Sequence, residues 1–214
     1  MGLGYAIAVI AVLAIVFTAG GFYLRFRLYR DLNAAAREGD LDWFFSKIDG
    51  FGAKFALSVF ARERLRFIAL SRRGDKEQMA AVYNDLMHLK LNDAQRSMLL
   101  ADGFDAFAAN GDRKHCHRIL VEMPKAGMTE QQVRAYRRHF DVVVCHNGQM
   151  YKTALENKYA TLSGRRRGYA AYLLSHIFSE TNRKRSRDYR EEAVRLLDIP
   201  ADQLTRRTHV NTTV

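Results

Sequence analysis

The residues with the most chemical potential are cysteines and histidines that stand side by side at two places in the chain. His115, Cys116 and His117 are consecutive, and Cys145 and His146 form a second pair further along. Thiolate and imidazole groups are the usual ligands of zinc, and a cysteine beside a histidine could also act as a nucleophile. Adjacent side chains on a helix, however, point about 100° apart and cannot all bind one ion. The pattern therefore favours core packing of Cys116, and we predict no metal and no cofactor.

Other patterns that support catalysis are missing from the sequence. No glycine-rich loop of the phosphate-binding or dinucleotide-binding type occurs. The carboxylates stand mostly beside basic residues, as in Arg62-Glu63-Arg64. Such neighbours are typical of the solvated face of a helix. We therefore expect a protein that is not an enzyme.

Helices are the elements that would position these residues. The chain has only two prolines, so long uninterrupted helices are allowed. Apolar residues recur at spacings of three and four in the segments 60–72 and 79–87, which is typical of helices with one buried face. The sequence therefore predicts an all-α fold.

A glycine junction recurs along the chain and divides it into segments of similar length. The first three glycines precede an aspartate, which predicts that Gly closes one helix in the left-handed conformation and Asp caps the next helix. A fixed period of this size indicates helix-hairpin repeats. The junction residues, at glycine intervals of 35, 37 and 37, are Gly39-Asp40, Gly74-Asp75, Gly111-Asp112 and Gly148-Gln149.

With these junctions the chain resembles the tetratricopeptide repeat family over about residues 24–164. Tyr83 and Leu120 each stand nine residues after a junction glycine, and Ala160 occupies the position of a family alanine. The sequence departs from the family where a small residue is expected seven positions before each glycine, since Phe67 and Phe104 stand at two of these positions. The resemblance implies a curved helical stack whose concave face binds a peptide or a partner helix. An irregular helical bundle is the alternative.

The N-terminal segment carries no charge from Gly2 to Leu24. About 20 apolar residues in a helix cross the hydrocarbon core of a membrane, and the segment lacks the charged start of a signal peptide. The sequence therefore predicts a single transmembrane anchor at 1–24, which contacts the bilayer through residues 3–24. A helical-repeat domain at 25–198 and a flexible tail at 199–214 would follow.

Basic residues outnumber acidic ones, 34 to 23, which gives a net charge of +11. The three arginines after residue 24 predict that the domain is cytoplasmic and the N-terminus outside. Anionic lipid head groups or an acidic partner are the expected contacts if the basic clusters are more than a solvated face, and nucleic acid ranks below both. The candidate contacts are Arg25, Arg27, Arg30, Arg165, Arg166, Arg167, Arg183, Lys184, Arg185 and Arg187.

These features predict a membrane-anchored, non-enzymatic adaptor or scaffold whose helical domain binds a protein partner. Two alternatives remain at this point. One is an accessory or assembly subunit of a larger membrane complex, in which the small residues of the predicted span would pack against other spans. The other is a membrane-linked protein that binds nucleic acid.

Overall fold

The computed structural model describes the backbone of residues 2–210 and 212–213 and the side chains of residues 18–36, 39–205, 208–210 and 212–213. Every regular element in these ranges is helical. The chain divides into two compact units, residues 1–89 and 90–214, here named unit 1 and unit 2. The boundary between them lies within the domain predicted at 25–198.

Unit 1 contains one long helix and four shorter ones. Its core forms where the C-terminal half of α1 packs on α2 and α4, with Leu32, Phe44, Ile48 and Leu65 fully buried. The helices are α1 (Gly2–Glu38), α2 (Leu41–Ile48), α3 (Phe51–Ala56), α4 (Val59–Arg73) and α5 (Lys76–His88).

The predicted N-terminal transmembrane helix is wrong. Among the described residues, no helix is long and apolar enough to cross a membrane. Helix α1 continues without a break past residue 24 to Glu38, so the predicted anchor is the first part of a longer helix that also carries Arg25, Arg27 and Arg30. The predicted single-pass topology, with the N-terminus outside and a cytoplasmic domain, is corrected with it; the side chains of residues 1–17 lie outside the described residues.

Three of the four glycine junctions share one geometry. The glycine has a positive φ, of 102°, 81° and 69° in chain order, which a residue without Cβ adopts at little cost. The following aspartate then accepts a hydrogen bond from the backbone N–H three residues later and caps the next helix. These junctions are Gly39-Asp40, Gly74-Asp75 and Gly111-Asp112.

The fourth junction is built differently. Gly148 has a φ of −99°, and the left-handed residue here is His146, which follows a π-helical turn at Phe140–Val144. A Cβ atom at Gly148 would lie 2.8 Å from side-chain carbons of both Val142 and Ile177. This glycine is therefore required by close packing and not by a left-handed turn.

Unit 2 is organised around α10, which is buried on nearly all sides from Gly168 to Ser175. Helix α11 packs along it, and the absence of a side chain at Gly168 lets Leu196 and Leu197 approach closely. Two short 3-10 helices lie at Pro124–Ala126 and Gln149–Tyr151. The α-helices are α6 (Asp93–Ala109), α7 (Arg113–Glu122), α8 (Glu130–His139), α9 (Lys152–Thr161), α10 (Gly164–Phe178), α11 (Arg183–Leu197) and α12 (Leu204–Arg207).

The segment after residue 198, predicted as a flexible tail, packs onto unit 2. Ile199 and Leu204 are buried in the cluster around α10. Further along, Nδ1 of His209 lies 2.6 Å from a carboxylate oxygen of Asp105 in α6. The described part of this segment is therefore tied to the core by both apolar and polar contacts.

Candidate functional site

Two of the predicted basic clusters lie at opposite ends of the α10–α11 hairpin. Residues 165–167 begin α10, and residues 183–187 begin α11. Gly168 contacts the end of α11, so the two helices run antiparallel. Fifteen residues of helix separate the clusters by roughly 22 Å at 1.5 Å per residue. The structure therefore does not combine them into one basic surface.

Two members of these clusters pair with other helices, and Arg187 pairs within α11 with Glu191 at 3.8 Å. Arg167 Nε lies 2.9 Å from an Oε1 of Glu192, and its guanidinium lies 4.4 Å from the centre of the Tyr159 ring. Arg185 pairs with Glu156 at 2.5 Å and lies over the ring of Phe178. Both arginines thus fasten α9 to the α10–α11 hairpin. Exposed side chains complete the clusters at Arg165, Arg166, Arg183, Lys184 and Arg187.

The third basic cluster belongs to unit 1 and contains two kinds of arginine. Arg27 and Arg30 both approach the carboxylate of Asp31, at 3.8 Å and 3.3 Å. Arg25 instead lies over the ring of Phe55, with its guanidinium carbon 5.8 Å from the ring centre. Of these three arginines, Arg25 is the one placed against an exposed aromatic ring and not against a carboxylate.

Four phenylalanine rings on α1 and α3 are exposed, and we name Phe22, Phe26, Phe51 and Phe55 the aromatic patch. Their exposed fractions are 75%, 58%, 85% and 72%. Phe22 and Phe26 are one helical turn apart on α1, and the rings of Phe51 and Phe55 stack on α3 with centres 6.1 Å apart. Helix α1 packs against α3, and Arg25 of α1 lies over the ring of Phe55 in α3. Exposed apolar surface of this extent marks interaction sites in soluble domains.

The cysteine and histidine clusters of unit 2 differ in burial, since Cys116 is buried and His115 and Cys145 are half-buried, whereas His117 and His146 are exposed. Cys116 is fully buried, and burial raises the pKa of its thiol to about 12. His115 stacks on Phe107 and lies 2.6 Å from a carboxylate oxygen of Asp112. Among the described residues, no group of three or more His, Cys, Asp or Glu side chains could hold a metal ion. A protonated, buried thiol is a poor nucleophile.

A buried row of rings on α8 and α10 was missed by the sequence analysis. Nδ1 of His139 lies 2.8 Å from the Tyr169 hydroxyl group, and both residues are buried. Tyr172 and His176 continue the row, with ring centres 4.8 Å apart. Burial lowers the pKa of His139 to about 3 and that of His176 to about 4, so both imidazoles are neutral at pH 7. The spacing of residues 169, 172 and 176, which places them on one helix face, was the available signal.

Two cavities border this row within unit 2. The larger, of about 290 Å³, lies where Arg165 and Tyr169 face Thr208 and His209. The smaller, of about 130 Å³, lies beside Tyr172 and His176. Both are smaller than the usual site for a drug-sized ligand, which measures roughly 300–1,000 Å³.

No family model, no curated protein and no solved structure matches this chain.

Proposed function

We propose that this protein is a non-enzymatic adaptor whose unit 1 binds an acidic amphipathic helix of a partner protein. The observation that carries the proposal is the aromatic patch, in which four phenylalanine rings are more than half exposed on two packed helices. The helical-repeat resemblance is consistent with such a role, because helical stacks present extended surfaces to peptides and helices.

The size of the patch suits a peptide-sized partner. A phenylalanine ring that becomes fully buried contributes roughly 150–200 Å², so the four rings offer on the order of 500 Å² of apolar surface. At about 25 cal/mol per Å² the gross gain on burial is ~12 kcal/mol. The loss of translational and rotational freedom offsets at least about 4 kcal/mol of this gain. Micromolar affinity is the expected result, which corresponds to about 8 kcal/mol.

The charges at the patch select the kind of partner. Arg25 lies over Phe55, and Lys54 is exposed on α3 between Phe51 and Phe55. Neither basic side chain forms an ion pair with a carboxylate among the described residues. Two copies of this surface would bring like charges together, whereas a helix with carboxylates beside its apolar face would pair with them. The charges therefore favour an acidic partner over self-association.

The test is fluorescence anisotropy with two labelled helical peptides and the full chain. One peptide carries Leu at positions i, i+3, i+4 and i+7 flanked by Glu, and the other has Lys in place of each Glu. We expect the Glu peptide to bind with micromolar Kd and the Lys peptide at least tenfold more weakly. Phe51→Ala and Phe55→Ala should each weaken the Glu peptide about tenfold or more. Arg25→Glu should remove most of the preference between the two peptides, because the new carboxylate and Lys54 then cancel, and Arg25→Glu combined with Lys54→Glu should reverse it.

Met150→Ala is the matched control, because Met150 is as exposed as Phe22 but lies in unit 2. This variant should bind the Glu peptide with unchanged Kd. Equal binding of both peptides, or equal losses in Phe55→Ala and Met150→Ala, would contradict the proposal. Sedimentation of the chain alone provides the remaining check, since a dimer abolished by Phe55→Ala would assign the patch to a second copy instead.

A further inference from the structure

The smaller cavity of unit 2 is lined almost entirely by polar side chains. It lies among α10, α11 and α12 and measures about 130 Å³. No aspartate or glutamate occurs among its described lining residues. The polar groups that matter for its chemistry are Tyr172, Ser175, His176, Ser186, Arg190 and Thr205.

Tyr172 lines this cavity and carries a buried hydroxyl group. Its side chain is only 1% exposed, and its oxygen makes no hydrogen bond of normal geometry within the described part of the chain. Burial raises the pKa of Tyr172, and the Thr205 hydroxyl group, which approaches the Tyr172 oxygen as a donor, acts in the opposite direction. An unsatisfied buried hydroxyl group costs about 1–3 kcal/mol. A ligand that accepts its proton would remove that cost.

Arg190 supplies a positive charge at the mouth of the cavity. Its Nη2 donates a hydrogen bond to the backbone oxygen of Ala201 at 3.1 Å. Among the described contacts, the other guanidinium N–H groups have no acceptor. No carboxylate pairs with Arg190 among the described residues. Its charge lowers the pKa of both Tyr172 and His176, which places it near both groups.

The serine side chains contribute acceptors. Ser175 donates its proton to the backbone oxygen of Tyr172, and Ser186 donates to that of Ser175, each at 2.7 Å. Both hydroxyl oxygens therefore keep only lone pairs for a ligand. The cavity thus combines donors and a positive charge on one side with acceptors on the other.

From these groups we propose that the cavity binds an oxyanion that retains a hydroxyl group, namely phosphate or the phosphate group of a small ester. The anionic oxygens would accept from Arg190 and Tyr172, and the P–OH group would donate to the serine oxygens. The volume equals that of about four water molecules at ~30 Å³ each, which suits a tetrahedral ion with four oxygens. A carboxylate has no proton to donate to the serines. This site lies in unit 2 and does not depend on the proposed function of unit 1.

The experiment is a thermal-unfolding titration of the full chain with sodium phosphate, at constant ionic strength maintained with chloride. A ligand that binds only the folded state raises Tm with concentration. With a Kd near 1 mM, we expect 20 mM phosphate to raise Tm by about 3–6 °C. Broadening of the ³¹P resonance of phosphate at the same protein concentration gives an independent measure of binding.

Two variants and one control separate a site from general screening of the basic chain. Arg190→Gln should abolish the phosphate-dependent shift. Tyr172→Phe should reduce it at least threefold while leaving the phosphate-free Tm unchanged or higher, because the unsatisfied hydroxyl group is gone. Arg183→Gln is the matched control, since it removes the same charge from α11 outside the cavity, and it should retain the full shift.

The proposal fails if phosphate produces no shift, or if wild type, Arg190→Gln and Arg183→Gln shift equally. Acetate at 20 mM should give less than one fifth of the phosphate shift, and an equal acetate shift would overturn the requirement for a P–OH group. Inorganic phosphate and glycerol 3-phosphate are compared last. The larger shift identifies whether the free ion or the ester is the preferred source of the phosphate group.

Discussion

Phe51 and Phe55 of unit 1 are 85% and 72% exposed, whereas Tyr169 and Tyr172 of unit 2, each with a polar hydroxyl group, are both 1% exposed. The usual distribution places apolar rings inside and polar groups in contact with water. The two units depart from this distribution in opposite directions. Unit 1 leaves apolar surface that a partner could cover, and unit 2 buries polar groups that require partners of their own. Stability and binding should therefore respond to mutation in opposite ways in the two units.

The largest expected contrast comes from removing one apolar side chain from each unit. Leu174 on α10 is fully buried, so Leu174→Ala should lower the free energy of unfolding of unit 2 by ~3–4 kcal/mol through lost burial and a cavity. Phe55→Ala should change the stability of unit 1 by less than about 0.5 kcal/mol, because the ring is exposed. Chemical denaturation measures both effects, with amide hydrogen exchange used to report on each unit separately. A loss above ~2 kcal/mol in Phe55→Ala would show that the patch is structural.

A second contrast depends on pH and belongs to unit 2. Burial lowers the pKa of His139 to about 3, whereas the unfolded chain takes up a proton near pH 6.5. The contribution of His139 is therefore fully present above pH 6.5 and is lost as the pH falls from there toward 3. The slope is about 1.4 kcal/mol per pH unit for this one group, or roughly 2–3 kcal/mol between pH 6.5 and 4.5.

The measurement is the free energy of unfolding of unit 2 at half-unit steps of pH. In His139→Gln the slope of the unfolding free energy against pH should fall by the amount that one proton contributes. The stability of this variant at pH 7 should be lower, because the contact with the Tyr169 hydroxyl group changes. His88→Gln in unit 1 is the control, since His88 is exposed. An unchanged slope in His139→Gln would show that the imidazole is not neutral in the folded protein.

A third contrast uses one glycine from each unit. A Cβ atom at Gly168 would lie 2.8 Å from Leu196 Cβ, so Gly168→Ala should destabilise unit 2 by about 1–2 kcal/mol through overpacking. In the part of the chain that the structure describes, no atom beyond the local helix backbone lies within 4 Å of a Cβ placed at Gly52 in α3. Gly52→Ala should therefore stabilise unit 1 by up to ~1 kcal/mol, through the better helix propensity of alanine. Equal losses at both positions would contradict the packing described for α10.

The features of this fold that could be predicted from the sequence are those set by residues that are neighbours in the chain. The Gly74-Asp75 junction depends on residues that are neighbours in the chain, so its left-handed glycine and its cap could be expected from the pair alone. Gly148 has the same spacing but a different role, because Val142 and Ile177 enclose it from segments that the local pattern does not identify. An interval between glycines therefore did not imply a common conformation.

Burial and exposure were the features that the sequence could not supply. The row of Tyr169, Tyr172 and His176 has a visible helical spacing, but only the packing of α8 and α11 makes it internal. The exposure of Phe51 and Phe55 was equally hidden, since phenylalanine usually indicates core. The transmembrane prediction ended the first element at Leu24, whereas α1 continues to Glu38 and its C-terminal half packs on α2 and α4.

The smallest expected contrast compares the capping aspartates of the two units. Asp75 accepts a hydrogen bond from the backbone of Gln78, so Asp75→Ala should cost unit 1 about 1 kcal/mol, while Asp75→Asn should keep the cap at little cost. Asp112 of unit 2 makes a second contact, to the imidazole of His115. Although burial opposes it, hydrogen bonds from the backbone and ring of His115 hold the pKa of Asp112 below its usual value. Asp112→Asn should therefore cost about 0.5 kcal/mol more than Asp75→Asn, measured by denaturation at pH 7, and equal costs would show that the ring contact adds no stability.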